Sequence, residues 1–178
     1  MSDEQVGFDV INEVSVGDLT EVRQEMLPVA QNVKVRIDKA SVETSKDKDL
    51  KSLKLELAIV DGIMVGDEMK FANKKVFPGF MDLCVWANPA TKNSNWYKTK
   101  QHLLGFKQFC QALELDLKDV KINDEFCASL LGRELLINII HEEETVADPN
   151  DLDQNGKPKR KKTGVLRERI KSFKKLVA

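Results

Sequence analysis

Two stretches of this chain alternate apolar and polar residues with a period of two, and that alternation limits the fold more than any other feature. In "VKVRIDKA", Val33, Val35 and Ile37 alternate with Lys34, Arg36 and Asp38. In "LKLELAIVDG", Leu53, Leu55, Leu57 and Ile59 point one way and Lys54, Glu56 and Ala58 the other, before an Asp61–Gly62 turn signal. Successive strand side chains leave on opposite faces, so each stretch reads as a strand with one buried face. "RELLINIIHEEE" is apolar at both parities, with Leu135, Ile137 and Ile139 against Leu136 and Ile140. That predicts a central strand covered on both sides. "DEMKFANKKVF" predicts a third strand, bent or ended by "PGF". "GVLRERIKSFKKL" sets Leu166 and Ile170 against Arg167, Arg169 and Lys171 and reads as a fifth strand, with a basic amphipathic helix as the competing reading.

From about Ser94 the period becomes 3.6. Leu103, Phe106, Cys110 and Leu113 form one stripe, with Trp96 and Thr99 a turn or two earlier. Gly105 within that helix costs about 1 kcal/mol relative to Ala, which marks a site of close packing. "NDEFCASLLG" predicts a second, short helix ended by Gly132. The order is strand, strand, strand, helix, strand, strand. It predicts a mainly β chain with α+β content: a five-stranded OB-fold barrel with a helix between strands 3 and 4. An acidic N-terminal arm, 1–30, carries seven acids and one base and holds a short helix in "GDLTEVRQEML". The OB-fold domain, 31–178, includes a long charged loop at 143–163.

Charge is strongly segregated. The formal net charge is −1, yet Lys157 to Lys175 holds ten Lys or Arg against the single acid Glu168. Residues 142–156 carry six acids and no base. A basic surface for a polyanion, with acidic segments elsewhere, is the expected consequence. Either the internal acids are a solvated loop, or they compete with a polyanion for the basic arm or bind a neighbouring subunit's basic face.

Other functions find little support. No stretch approaches the ~20 apolar residues of a membrane span, and the acidic start "MSDEQVGFDV" lacks a secretory signal; a cytoplasmic location is expected. Cys84, Cys110 and Cys127 are odd in number and widely spaced, which predicts buried free thiols. A zinc site built with His102 and His141 lacks the usual paired ligands. No phosphate-binding glycine loop, HExxH or GxSxG occurs. The chain is expected to hold no metal or cofactor and to catalyse nothing.

Four segments carry a family resemblance: "LPVAQNVKVRIDKASVETSKDKDLKSLKLELAIVDG", "KTKQHLLGFKQFCQALEL", "LLGRELLINI" and "NGKPKRKKTGVLRERIKSF". In this order they resemble phage single-stranded-DNA-binding proteins of OB-fold type, which are associated with replication and recombination; the likeness runs from about Leu27 to Phe173. It implies a protein that coats and protects single-stranded DNA without strong sequence preference, in the host cytoplasm. It also implies a recombinase or polymerase as partner, and homo-oligomeric or cooperative assembly on DNA. A protein-interaction module assisting such an enzyme is the alternative, and a nuclease accessory enzyme is a third reading.

Single-strand binding needs a positive groove for phosphates and exposed aromatic faces for bases. The loops flanking an OB-fold binding face would hold Lys46, Lys48 and Lys51, and Lys159, Arg160, Lys161 and Lys162. Arg167, Arg169 and Lys171 continue along the last strand, and Lys34 and Arg36 share the outer face of the first. Phe71 and Phe77, near Lys70 and Lys74, and Trp86, Trp96 and Tyr97 are the stacking candidates; Phe106, Phe109, Phe126 and Phe173 are assigned to the core. Reversing the charge of Lys159, Arg160, Lys161 and Lys162 is expected to weaken binding of labelled poly-dT and flatten its salt dependence; an unchanged slope would count against the arm.

Overall fold

The computed structural model describes residues 25–92, 95–118 and 120–177. The acidic arm up to residue 24, with most of its expected helix, lies outside the described residues; Glu25 to Val29 are irregular. Eight strands are described: β1 (Ala30–Thr44), β2 (Leu50–Ile59), β3 (Ile63–Val65), β4 (Glu68–Lys70), β5 (Lys75–Val76), β6 (Cys84–Ala87), β7 (Glu134–Leu152) and β8 (Pro158–Lys174). Three helices accompany them: α1 (Asn95–Lys98), α2 (Leu104–Ala112) and α3 (Asp124–Leu130). Short 3-10 segments span Phe80–Leu83 and Gln101–Leu103.

The main sheet runs β5-β2-β1-β7-β8, with β6 also paired to β2, and every pairing is antiparallel. The alternation in sequence becomes its two faces. Val33, Val35 and Ile37 of β1, Leu53, Leu55, Leu57 and Ile59 of β2, and Leu135, Ile137 and Ile139 of β7 are all buried. Lys34 and Arg36 of β1 and Lys54 and Glu56 of β2 lie on the other face, half-buried or exposed. Helix α2 lays Phe106, Phe109 and Cys110 into the core, and the Phe109 ring meets Phe173 of β8 edge-on at 5.5 Å. Asn123 caps α3, its side chain accepting from the Phe126 N–H at 2.8 Å. The chain then leaves α3 through Gly132 (φ +78°), whose N–H donates to the Ile37 carbonyl.

Four expectations are corrected. The sheet is antiparallel and mainly β but is not closed into a barrel: β5 and β8 are not paired, and Leu27, fully buried, fills the seam between them. The Leu27 N–H donates to the Glu168 carboxylate at 2.6 Å, and the Leu27 carbonyl meets His141 Nε2 at 2.7 Å. The third strand is not continuous. The predicted stretch holds β4, which forms a hairpin with β3, and the short β5, parted where Phe71 and Asn73 adopt positive φ; β6 follows beyond "PGF" and a 3-10 turn. The central helix is interrupted at Lys100, which adopts the left-handed conformation (φ +59°). The long loop 143–163 is instead a two-stranded ribbon of β7 and β8, turned at 153–157.

Gly105 does mark close packing. A Cβ there would lie 1.9 Å from the Asp82 carbonyl oxygen, on the 3-10 turn that α2 crosses. Gly105→Ala is therefore expected to destabilise the fold by roughly 1–3 kcal/mol through overpacking, despite Ala's better helix propensity. A lower urea midpoint checks this, and a midpoint at or above the wild-type value would remove the close contact from the account.

Candidate nucleic-acid interface

The basic face expected on β8 is matched, strand for strand, by acids on β7. Lys159 pairs with Asp151 at 2.8 Å, Lys161 with Asp148 at 3.1 Å, Lys162 with Glu143 at 3.3 Å and Arg167 with Glu144 at 2.6 Å. Arg169 bridges Glu142 (2.5 Å) and Asp82 (2.8 Å), and these hydrogen bonds hold its pKa above the usual arginine value. Arg160 donates to the hydroxyl and carbonyl oxygens of Thr145. Lys171 is exposed and in no salt bridge among the described residues. A cavity of about 580 Å³ lies between this ribbon and the Phe77–Asp82 segment, but its walls mix carboxylates with arginines. A phosphate entering there must displace carboxylates that already hold the cations. The ribbon is thus close to self-neutralised and does not present an unbalanced basic trough.

The outer face of β1 is neutralised in the same way. Lys34 pairs with Glu134 at 3.0 Å. Arg36 Nε donates to Asp38 at 2.8 Å, Lys75 joins Asp38 and Glu56, and Lys39 pairs with Glu56 at 3.0 Å. Arg36, and after it Lys75, hold the Asp38 carboxyl at about 2, below its ordinary 3.8. Of the remaining candidates, Lys70 meets Glu68 on the β3–β4 hairpin at 3.5 Å. Phe71 packs half-buried against the core with Lys74 over its ring at 5.2 Å, so neither face is open to a base. Phe77 is 58% exposed but borders the mixed-charge cavity.

The other candidates converge at the opposite end of β2. Strand β6 pairs there with Trp86 opposite Lys51, and the Lys51 ammonium sits over the Trp86 ring at 5.5 Å. The β1–β2 turn, closed by Ser45 and Leu50, carries exposed Lys46 and Lys48 beside it. Lys92 reaches back to Asp47 and Asp49 of that turn, 3.7 Å from each. Helix α1 brings Trp96 and Tyr97, whose rings meet edge-on at 4.7 Å. Trp86 and Trp96 are 40% and 37% exposed. Of these groups, Trp86, Lys92 and Tyr97 line a cleft of about 340 Å³ together with His102 and the exposed Lys98 and Lys100. Lys46, Lys48, Lys51, Lys98 and Lys100 make no salt bridge among the described residues.

Sequence reasoning placed Trp86, Trp96, Tyr97, Lys51, Lys46 and Lys48 in one site, and the structure brings them to one region. Lys98 and Lys100, next to Trp96 and Tyr97 in the chain, were not assigned to that site, and His102 was weighed only as a zinc ligand. No group of His, Cys, Asp and Glu suited to hold a metal occurs among the described residues. No helix among them is long and apolar enough to cross a membrane. The three cysteines are buried free thiols, each with its pKa raised by burial. No protein-family model matches the chain, and no curated protein matches it.

Because Asp38 ionises more readily folded than unfolded, its contribution to stability is full above about pH 4 and is lost as pH falls through about 2. Asp38→Asn is expected to show a shallower loss of thermal stability over that window than the wild type. Superimposable acid limbs for the two proteins would remove the Arg36–Asp38–Lys75 cluster from the account.

Proposed function

We propose that this protein binds single-stranded nucleic acid, DNA in the first instance, along the lysine- and tryptophan-bearing end of β2, and that it acts by occupancy without breaking a bond. The supporting observation is the convergence of three aromatic rings, Trp86, Trp96 and Tyr97, with five lysines in no described salt bridge. Bases stack on any flat aromatic face, and lysines at the rim meet phosphates, so such a site tolerates many sequences. The strand path β5-β2-β1-β7-β8 with α2 inserted before β7 favours an OB-fold opened along one seam. In that reading the first loop and the β6–α1 segment frame the bound strand. The resemblance to phage single-strand binders gives replication or recombination as the setting.

The ribbon favours a second role. Past Ile139, β7 has β8 as its only partner in the main sheet among the described residues, and Val146, Leu152, Val165 and Leu166 are exposed there among paired charges. Such a surface suits a protein partner, such as a recombinase, a polymerase or another copy of this chain, better than it suits phosphates.

Titration with poly-dT at several salt concentrations, followed by tryptophan fluorescence, tests the first role. Saturable quenching is expected, with log K falling linearly against log salt. The double variant Lys98→Gln/Lys100→Gln is expected to reduce that slope by roughly 0.7 for each phosphate that is no longer neutralised. Trp86→Ala is expected to weaken binding by roughly 1–3 kcal/mol. Neutralising Lys161 and Lys162 together with Asp148 and Glu143 is expected to leave the slope nearly unchanged. Binding that ignores both salt and Trp86 would overturn the reading.

A further inference from the structure

Among the described residues β8 has β7 as its only partner in the sheet, so its outer edge is unpaired. An open edge offers backbone N–H and C=O groups to any added strand. The side chains along it are cationic and keep room for a second partner. Those of Lys159, Lys161, Lys162 and Arg167 stay 55%, 62%, 74% and 68% exposed after pairing within the ribbon, whereas those of Asp148, Glu143 and Glu144 on β7 are left at 19%, 29% and 29%. A lysine carries three donors and an arginine five, so pairing with one carboxylate leaves donors facing outward. Lysines on an edge oppose pairing with most strands; an acidic strand is the exception. A phosphodiester chain brings the charge but has no ladder of N–H and C=O groups to match the edge.

The sequence supplies such a segment outside the described residues. Residues 8–16, "FDVINEVSV", lie between Gly7 and Gly17. Phe8, Val10, Asn12, Val14 and Val16 share one parity, and Asp9, Ile11, Glu13 and Ser15 the other. Aromatic and β-branched residues alternating with polar ones between glycines form a strand pattern, and here both acids fall on one face. Residues 1–24 as a whole carry six acids and one base, Arg23. The first described residues lie at the foot of the same edge. Leu27 fills the seam between β5 and β8, and its N–H donates to Glu168, the neighbour of Arg167. The connecting residues, 17–24, reach at most ~28 Å, comparable with the ~27 Å that separate Arg167 from Lys159 along a strand. We propose that residues 8–16 add as a strand to the free edge of β8 in the same molecule, with Asp9 and Glu13 meeting the outward donors of the ribbon's lysines and arginines. This rests on the protein-facing role proposed for the ribbon and names a segment of this chain as its occupant.

The test is amide hydrogen exchange on the full chain, read by mass spectrometry over residues 8–16 and 158–167, with residues 53–59 of β2 as the internal control. Both segments are expected to exchange roughly 5- to 10-fold more slowly in wild type than in Val10→Pro/Val14→Pro, about what one net hydrogen bond supplies, because proline has no N–H to donate. Asp9→Lys/Glu13→Lys keeps the backbone N–H groups and is expected to lose the same protection. Exchange over residues 53–59 is expected to be unchanged in both variants. Exchange over residues 158–167 as fast in wild type as in both variants would overturn docking of the arm and leave the ribbon to another protein. Protection that rises with protein concentration would make the arm of a second copy the occupant and overturn the intramolecular assignment. Protection of residues 158–167 gained only on adding poly-dT, alike in all three proteins, would overturn the protein-facing role of the ribbon as well.

Discussion

The close crossing of α2 over the Phe80–Leu83 turn governs the arrangement around it. With Gly105 against the Asp82 carbonyl there is no room for even a methyl group, so helix and turn are held at one separation. The helix is pinned from below by Phe106, Phe109 and Cys110, whose burial removes large apolar surfaces from water. The turn in turn fixes Asp82, which meets Arg169 of β8 from across the open seam. It also delivers the chain directly into β6, so that Trp86 arrives opposite Lys51. One close backbone contact thus positions both the ion pair that ties β8 to the body and the aromatic ring of the proposed site.

The charge segregation in the chain has a structural meaning beyond attraction for a polyanion. The acids of residues 142–151 and the bases of residues 159–169 lie on two antiparallel strands, so each acid finds a base across the ladder. Cross-strand opposite charges favour that register, and a one-residue slip would turn the paired side chains to opposite faces. Single exposed ion pairs stabilise little; here their value lies in register and in keeping a long, mostly solvated ribbon from pairing elsewhere. Most of the basic residues of the ribbon are thereby already engaged. The lysines of the proposed site lie elsewhere, on the β1–β2 turn, at the start of β2 and at the mouth of the cleft.

Some parts of this fold were plain from sequence because a local period reports on one burial face. β1, β2 and the first half of β7 appear where alternation placed them, and Phe106, Phe109 and Cys110 are buried as the helical stripe required. The half of the fold that was misread lacks such a period. The outer part of β7 and β8 buries almost nothing, so its alternation is of charges against charges, which looks like a loop until the partner strand is in view. The interruption at Lys100 was equally hidden, since a left-handed lysine has no compositional mark of the kind a glycine leaves. The same holds for the site. Trp86, Trp96 and Tyr97 were legible as aromatics beside lysines, but Phe71 looked equivalent and proved to be half-buried against the core.

Sequence alone determined which residues face inward on the principal strands and helix, because burial of an alternating or 3.6-periodic set is a local decision driven by the hydrophobic effect. It determined too that positive and negative charge would be concentrated in separate stretches. Tertiary structure alone decided that those stretches face each other, that the sheet stays open with Leu27 in its seam, and that His102 stands unpaired beside Trp96 and Tyr97. Each of those outcomes depends on the distance between residues far apart in the chain. Coulombic pairing, seam filling and hydrogen-bond satisfaction are settled by distance, and the order of residues does not encode distance until the core has set the register.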